Sequence, residues 1–274
     1  MQVKKVLNNN VVIAEQSSEK EVLLIGKGIG FSKKEGQEIS ADTAEKVFRL
    51  EDPTEQDKYK QLLPQLDEDF IQFMHDVLSH IEKEMGQIVN EHIHIGLTDH
   101  IAFAIKRAKE GINIKNPFLV ETEVLYHKEY MVAKTIVSMI KEFSGVQLPD
   151  GEIGLIAIHI HSSVTDRNLS DINKNSTLVF QLIQMIEDGL DITLKRDSIN
   201  YFRLVQHIRF AIDRVSSGVA NKEQTSLGKV LKMEYPMCYN LAWKIVKVMQ
   251  QTLKKPVVDA EVIYLTIHLQ RLLN

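Results

Sequence analysis

Four histidines occupy matched places in two similar stretches of the chain. The segment His100-Ile-Ala-Phe-Ala-Ile-Lys-Arg107 recurs as His207-Ile-Arg-Phe-Ala-Ile-Asp-Arg214. The segment Glu152-Ile-Gly-Leu-Ile-Ala-Ile-His159 recurs as Glu261-Val-Ile-Tyr-Leu-Thr-Ile-His268. Imidazole titrates near neutral pH and can bind metals, and a guanidinium group pairs with anions. The chain therefore contains two copies of one module, and the four histidines are the candidates for its chemistry.

Each copy of the first segment is expected to be one long helix. Asn90 and Asp197 precede the two copies, and Asn or Asp at these positions can cap the free N–H groups of a helix start. Gly111 and Gly218 follow them, and glycine tolerates the left-handed geometry just past a helix end. The helix-start and helix-end signals thus repeat together with the histidines.

The helical period places His100 beside an apolar stripe. The residues of this predicted buried stripe are Leu97, Ile101, Ala104, Ile105 and Ala108. His100 lies on its flank, with Arg107 two turns further along the same side, and His207 and Arg214 repeat this relation. A hydrogen-bonded core role and a functional role at the surface both fit such histidines, and the residues alone leave both open.

A metal site and an enzymatic function are both disfavoured. His92 and His94, like His159 and His161, are two residues apart, and such side chains point in different directions on a helix. No cysteine cluster or His-Glu-x-x-His spacing supports a metal site. No nucleophile motif, phosphate-binding loop or dinucleotide fingerprint is present, so we expect neither a cofactor nor catalysis.

The first 55 residues have the pattern of a small antiparallel sheet. Short segments rich in β-branched residues, separated by turns, predict strands at Val3–Leu7, Val11–Ala14, Glu21–Ile25 and Lys46–Leu50. A turn is expected at Asn8–Asn10 and a glycine-shaped loop at Gly26–Phe31. So short a piece buries little surface, so we expect it to dimerise.

Helical periodicity dominates the rest of the chain. Polar composition predicts linkers at 51–60 and 165–176 and a loop at 216–226. Helices are predicted near 67–85, 91–110, 118–143, 151–162, 176–189, 198–216, 234–253 and 260–273.

The N-terminal sheet could bind nucleic acid. Lys5 and Lys27, with Lys33 and Lys34, could meet phosphates, Asn8 and Asn10 could contact base edges, and Phe31 could stack on an unpaired base. With no helix available for the major groove, RNA loops or bulges suit this surface better than duplex DNA. An ordinary small sheet with a glycine turn remains the alternative.

Composition sets further limits. A formal net charge of −4 excludes a broadly basic coat, although not a local binding surface. The single cysteine allows no internal disulfide, and neither a signal peptide nor an apolar run long enough to span a bilayer is present. We therefore expect a cytoplasmic protein without membrane insertion.

The whole chain resembles the BglG/SacY family of transcriptional antiterminators. The segments that carry the resemblance are Lys5-Val-Leu-Asn-Asn-Asn10, Gly26-Lys-Gly-Ile-Gly-Phe31, Leu97-Thr-Asp-His100, Ile156-Ala-Ile-His159, His207-Ile-Arg-Phe210 and Leu265-Thr-Ile-His268. The resemblance implies a small antiparallel β RNA-binding domain over 1–55 and two all-α helical-bundle regulatory domains, called PRDs, over 61–165 and 172–274.

The resemblance also implies roles for particular residues. The implied RNA contacts are Lys5, Asn8, Asn10, Gly26, Lys27 and Phe31. The implied phosphorylation sites are His100, His159, His207 and His268. Asp99 precedes His100, whereas Gln206 precedes His207, so the two PRDs need not be phosphorylated alike.

In this family a homodimer binds a hairpin in an mRNA leader and prevents a terminator from forming. Its implied regulators are an EIIB-type domain of a sugar transporter of the phosphotransferase system, here for glucose, and the phosphocarrier HPr. The alternative function is a module regulated by the same system that acts on DNA or on protein partners. A basic helix-turn-helix pattern is absent from residues 1–60, which weighs against the DNA version.

Overall fold

The N-terminal part of the chain forms one antiparallel sheet. The computed structural model describes residues 1–16, 20–48, 66–90, 92–165, 167–217, 225–257 and 259–273. Its strands are β1 (Gln2–Asn8), β2 (Val11–Gln16), β3 (Lys20–Ile25) and β4 (Lys46–Phe48), hydrogen-bonded in the order β1-β2-β3-β4. All four predicted strands are present. The expected end of the last strand, Arg49-Leu50, and the predicted linker 51–60 lie outside the described residues.

Both faces of this sheet are buried. Alternation along β2 sends Val12 to one face and Val11 and Ile13 to the other. The Val12 face is covered by Ile29 and Ile39 from the segments that follow β3. The other face packs against Ile71 and Ile95 of the helical region. The sheet thus gains apolar cover from its own chain.

The remainder of the described chain is helical. The helices are α1 (Glu68–Met85), α2 (His92–Lys109), α3 (Leu119–Leu125), α4 (His127–Ser144), α5 (Gly151–Thr165), α6 (Leu169–Leu190), α7 (Ile199–Ser217), α8 (Thr225–Glu234), α9 (Pro236–Leu253) and α10 (Asp259–Leu272). None of these described helices is both long enough and apolar enough to cross a lipid bilayer. The predicted fold class, a small antiparallel sheet followed by two helical regulatory domains, is confirmed.

The helices repeat as α1–α5 and α6–α10, but the compact units do not follow this division. One unit comprises residues 1–115 and 128–167, and the other comprises 116–127 and 168–274. In the first, α2 packs on α5; in the second, α9 packs on α10 and α6 packs on α7. In both units the two helices that carry the histidines belong to the same packed body.

The helix predicted over 118–143 is wrong as a single element. It breaks at Tyr126, whose backbone leaves the helical region with φ −130° and ψ 48°. The short helix α3 on the N-terminal side packs on α6 and α7 in the second unit, whereas its repeat counterpart α8 packs on α9 and α10. Sequence periodicity continued across the break, so it could not show this.

Two segments predicted to lack structure contain helix. The predicted linker 165–176 is wrong because α6 begins at Leu169, with the Asn168 side chain accepting a hydrogen bond from the Ser170 backbone N–H (2.9 Å). Polar residues on its exposed side hid the buried Ile172 and Ser176. The loop predicted over 216–226 is wrong at both ends, because α7 continues to Ser217 and α8 begins at Thr225; residues 218–224 lie outside the description.

The residues predicted to begin and end the histidine-bearing helices are only partly correct. Gly111, just after α2, has a φ of +75° as expected, while Gly218 lies outside the described residues. The expected cap at Asp197 is wrong by one residue. The cap is Ser198, whose Oγ accepts a hydrogen bond from the Tyr201 backbone N–H (3.2 Å).

Candidate functional site

The structure brings His100 and His159 together in the first unit. Their ring centroids are 4.9 Å apart with 41° between the ring planes, and both side chains are half-buried. Gly96, one turn before His100 on α2, faces the same ring, since a Cβ added there would make an ordinary van der Waals contact of 3.5 Å with Nδ1 of His159. The stripe predicted beside His100 is buried at Leu97 and Ile101, which places His100 on its flank as expected.

A buried carboxylate supports this first pair. Glu152 on α5 has only 2% of its side chain exposed. Its Oε1 accepts a hydrogen bond from Nη2 of Arg107 (2.7 Å), and its Oε2 lies 2.9 Å from Nε2 of His100. Burial alone would raise the pKa of Glu152, but the contacts with His100 and Arg107 outweigh it and hold that pKa below its usual value. The carboxylate is therefore ionised and lies between Arg107 and the Nε2 edge of His100.

The second unit contains the equivalent pair in a tighter arrangement. His207 and His268 are stacked, with ring centroids 3.5 Å apart and 26° between the planes. Tyr264 lies beside both rings, at centroid distances of 6.4 Å from His207 and 5.4 Å from His268. Both histidines are half-buried, so all four predicted phosphorylation sites keep an edge toward solvent in the isolated chain.

The carboxylate of the second pair is engaged differently. Both oxygens of buried Glu261 accept hydrogen bonds from Arg214, from Nε at 2.8 Å and from Nη2 at 2.7 Å. This bidentate geometry occupies the carboxylate, whereas Glu152 divides its oxygens between Arg107 and His100. Both copies of the repeat therefore contain the Arg–Glu ion pair, but only in the first does the carboxylate also approach a histidine, His100.

The environments of His159, His207 and His268 favour the neutral imidazole. Burial, and then the charge of His100, lower the pKa of His159 to about 3. Burial, and then the charges of His207 and Arg271, lower the pKa of His268 to about 4. The pKa of His207 is lowered as well, first by burial and then by nearby arginines. A neutral ring carries a lone pair on one nitrogen, which is the form that can attack phosphorus.

Sequence reasoning assigned no role to Glu152 and Glu261. A signal was present: each lies two turns before the histidine of its own helix, at the same place in both copies of the repeat. A carboxylate that recurs inside an apolar helix needs a buried partner. The partners, Arg107 and Arg214, come from a different helix in each case, which only the packing could show.

The other histidines considered as metal ligands are not gathered into a site. His161 Nδ1 lies 2.8 Å from Oε1 of Glu129, and His94 is buried; the side chain of His92 lies outside the description. Within the described ranges, no group of three or more His, Cys, Asp or Glu side chains could hold a metal ion.

The N-terminal loop is built by two of the predicted RNA contacts. Oδ1 of Asn8 accepts a hydrogen bond from the Asn10 backbone N–H (2.9 Å), and Oδ1 of Asn10 accepts one from the Gly28 backbone N–H (2.7 Å). These bonds tie the turn after β1 to the glycine loop after β3. Both carbonyl oxygens are used internally, and Nδ2 of Asn8 is buried, so Asn8 shapes the loop in the isolated chain rather than presenting a free edge to a base.

The remaining predicted RNA contacts flank this joint. Lys5 and Lys27 are exposed, and Phe31 has 70% of its side chain exposed. Gly26 lies close to β4, where an added Cβ would be 3.1 Å from the Glu45 backbone nitrogen. Gly30, not predicted as a contact, is the most constrained position, since a Cβ there would be 2.2 Å from the Asn8 carbonyl oxygen. The loop therefore presents an exposed aromatic ring and Lys27 on a backbone that glycine alone allows, and Lys5 is exposed on β1.

Comparison with known proteins agrees with this layout. Residues 1–57 match the family described as CAT RNA binding domain, and residues 75–163 and 180–272 each match the PRD domain. The chain is 52% identical over 272 residues to the PtsGHI operon antiterminator of Bacillus subtilis (strain 168), covering 99% of this chain and 97% of that protein. It is 39% identical over 269 residues to the GlcA/glcB genes antiterminator of Staphylococcus carnosus (strain TM300), covering 97% of this chain and 94% of that protein.

The chain is also similar to a solved structure, the crystal structure of GlcT CAT-PRDI, with 53% sequence identity and a TM-score of 0.55. The match covers 60% of this chain and 98% of the chain in that structure. The chain belongs to the BglG/SacY family of transcriptional antiterminators. As an antiterminator it binds RNA and is controlled by the phosphotransferase system. His100 and His159 lie in the first matched PRD, and His207 and His268 lie in the second.

Proposed function

We propose that this antiterminator is a glucose-responsive switch that acts as a homodimer on a hairpin in an mRNA leader. It works in the cytoplasm, where nascent RNA is made. Lys5, Asn8, Asn10, Gly26, Lys27 and Phe31 form its RNA surface. His100, His159, His207 and His268 receive phosphoryl groups. The observation that carries the proposal is the pairing of half-buried imidazoles at equivalent positions in the two PRDs.

The phosphodonors are proteins whose own phosphohistidine gives up its phosphoryl group. A ring nitrogen of the acceptor attacks phosphorus, a new N–P bond forms, and the donor's N–P bond breaks with its electron pair returning to the donor imidazole. An EIIB-type domain of the glucose transporter serves the first PRD, and HPr serves the second. When glucose is transported, phosphate drains to the sugar and the first PRD is left unmodified.

The charge of the phosphoryl group is the signal in the first PRD. A phosphoryl group carries close to two negative charges. On His100 it would stand within a few ångströms of the Glu152 carboxylate, which lies 2.9 Å from Nε2 in the unmodified chain. Two negative charges about 5 Å from a third repel it by roughly 2 kcal/mol in water, and by several times more where screening is poor. This repulsion displaces Glu152 and shifts α2 against α5.

A direct packing route leads from this pair to the RNA surface. His100 and Ile95 both lie on α2, and Ile95 packs in the same apolar cluster as Val11 and Ile13 of the sheet. Movement of α2 therefore changes the support of β2, which leads from the Asn8–Asn10 turn. The homodimer is a proposal that rests on the family resemblance and on the small size of the sheet.

Site mapping tests the proposal most directly. The full chain would be incubated with the general phosphotransferase proteins, with and without the EIIB domain of the glucose transporter, and phosphohistidines would be mapped by mass spectrometry. We expect His100 and His159 to depend on EIIB, and His207 and His268 to be modified by HPr alone. Absence of phosphate from all four residues would refute the proposal.

The alternative, a module acting on DNA or on protein partners, is not favoured, because residues 1–57 match an RNA-binding domain. A gel shift that compares hairpin RNA with duplex DNA separates the two functions.

A further inference from the structure

The two histidine pairs stand in opposite electrostatic surroundings. Around the first pair, the equivalent positions of the repeat hold Gly96 and Ser162; around the second, they hold Arg203 and Arg271. The residue before the first histidine is Asp99 in one copy and the neutral Gln206 in the other. The second pair therefore has two arginines that the first pair lacks, and the first pair has an aspartate, Asp99, that the second pair lacks.

The position of Arg203 is set by the repeat and by helix geometry. Arg203 precedes His207 by four residues on α7, so both lie on one face of that helix. In the first PRD the same position is Gly96, where an added Cβ would be 3.5 Å from Nδ1 of His159. A side chain at this position thus begins beside the histidine pair, and in the second PRD the charge of Arg203 is among those that lower the pKa of His207.

Arg271 approaches from the other helix. It follows His268 by three residues on α10, again on the same face. Arg203 and Arg271 are both exposed, and neither forms an ion pair with any residue that the structure describes. Arg214, in contrast, is held by Glu261 and lies over the Tyr264 ring, 5.6 Å from its centroid. The charges of both guanidinium groups lower the pKa of His207, and that of Arg271 also lowers the pKa of His268, while no described carboxylate pairs with either group.

We propose that Arg203 and Arg271 form a phosphoryl-binding cradle around the His207–His268 pair, and that the first PRD lacks such a cradle. The proposal rests on the proposed phosphorylation of these histidines and names the residues that receive the phosphoryl oxygens. Guanidinium groups present paired N–H donors that match phosphate geometry. The charges of Arg271 and Arg203 also lower the pKa of His207, and the charge of Arg271 lowers that of His268, so both favour the neutral imidazole.

The cradle would act both before and after phosphoryl transfer. A neutral nitrogen of His207 or His268 attacks phosphorus, and the two guanidinium groups balance the charge on the phosphoryl oxygens while the bond to the leaving nitrogen breaks. Afterwards the same groups hold the bound phosphoryl group close to the ring pair. In the first PRD, Glu152 faces the phosphoryl group instead, so modification there is expected to be slower and the product shorter-lived.

A small-molecule donor tests the cradle without any partner protein. Phosphoramidate transfers its phosphoryl group when the imidazole nitrogen attacks phosphorus and the P–N bond breaks, with the electron pair leaving on ammonia. The full chain, Arg203→Gln, Arg271→Gln and the double variant would be treated, and phosphate at each histidine followed by mass spectrometry. Lys247→Gln removes an exposed cation on α9 and is the matched control.

We expect the rate at His207 and His268 to fall about tenfold in the double variant, the effect of losing charge-assisted hydrogen bonds to the phosphoryl group. The rates at His100 and His159 should stay within about twofold of those of the wild-type chain, as should all rates in the control. Circular dichroism would show that the variants fold.

Equal rates and product lifetimes in the double variant and the control would overturn the cradle, and so would a wild-type chain that phosphoramidate leaves unmodified at His207 and His268. Failure of the proposed function is seen separately, as absence of phosphate on all four histidines after treatment with the protein donors.

Discussion

His207 and His268 stack face to face with their ring centroids 3.5 Å apart, closer than the 4.9 Å between His100 and His159. Two imidazoles at this distance cannot both be protonated without strong repulsion. Burial and neighbouring charges also lower the pKa of both histidines, so the second pair is uncharged at neutral pH, and this has a measurable consequence for stability.

Acid should destabilise the second PRD. The pKa of His268 falls from 6.5 to about 4 in the folded chain. Between these values the unfolded chain binds more protons, so the free energy of unfolding decreases as the pH is lowered from about 7 to about 4.5. His268→Asn should reduce this slope, to which His159 of the first PRD also contributes, in urea unfolding followed at several pH values. His75→Asn, which removes a histidine outside the pairs, should retain it; an unchanged slope in His268→Asn would contradict the prediction.

Removing Arg214 should be costly because it leaves a buried carboxylate unpaired. Both oxygens of Glu261 depend on Arg214, and breaking a buried pair from one side costs about 3 kcal/mol. We expect Arg214→Met to lower the free energy of unfolding by about this amount, measured by urea denaturation. The double variant Arg214→Met/Glu261→Gln should recover most of the loss, since no buried charge remains. A double variant as unstable as the single one would count against the ion pair as the cause.

Helix α3 should lose protection from local unfolding when the α7 side chains that bond to its backbone are removed. Gln206 Nε2 donates to the Val124 carbonyl oxygen (2.9 Å), and Arg209 Nη1 donates to the Leu125 carbonyl oxygen (2.7 Å). In Gln206→Ala/Arg209→Ala, we expect amide hydrogen exchange across α3 to rise by about tenfold or more, as two hydrogen bonds of about 1 kcal/mol each are lost. Exchange in α9 should not change. Equal protection of α3 in the variant and the wild-type chain would show that apolar packing alone holds it.

Loss of the exposed aromatic ring should weaken RNA binding without unfolding the protein. Phe31 has 70% of its side chain exposed, so its removal leaves no cavity. We expect Phe31→Ala to reduce hairpin affinity about ten- to a hundredfold, the effect of one lost base–aromatic stack. Ile88→Ala, at an apolar residue 87% exposed outside the sheet, is the control in the same filter-binding assay. Unchanged affinity of Phe31→Ala would remove this residue from the RNA surface.

A chain that cannot be phosphorylated at His100 should no longer respond to glucose. In His100→Ala the inhibitory charge cannot be placed beside Glu152, so a reporter downstream of the leader terminator should be expressed with and without glucose. His75→Ala, in the same PRD but outside the pair, should still respond to glucose. Repression of His100→Ala in the absence of glucose would show that His100 is not the controlling site.

The sequence by itself determined the modular plan. Strand and turn patterns in the first 55 residues are local, because β-branched residues and the Asn8–Asn10 turn favour these elements wherever they pack. The helices bearing His100 and His207 follow from an apolar period of about 3.6 residues. The repeat of four histidines, with the family resemblance, was enough to predict the candidate phosphorylation sites and the candidate RNA contacts.

Only the tertiary structure decided which polar groups meet. Glu152 pairs with Arg107, and Glu261 with Arg214, across different helices, and no local pattern encodes such a long-range partner. The polar start of α6 was mistaken for a linker because its few buried residues matter only once other helices cover them. The break at Tyr126 and the packing of α3 on α6 and α7 depend on contacts such as the hydrogen bond from the Tyr201 hydroxyl to Glu121. Burying the Glu121 carboxylate is favourable only if a donor from a distant part of the chain bonds to it. The sequence of α3 alone therefore could not show where this helix packs.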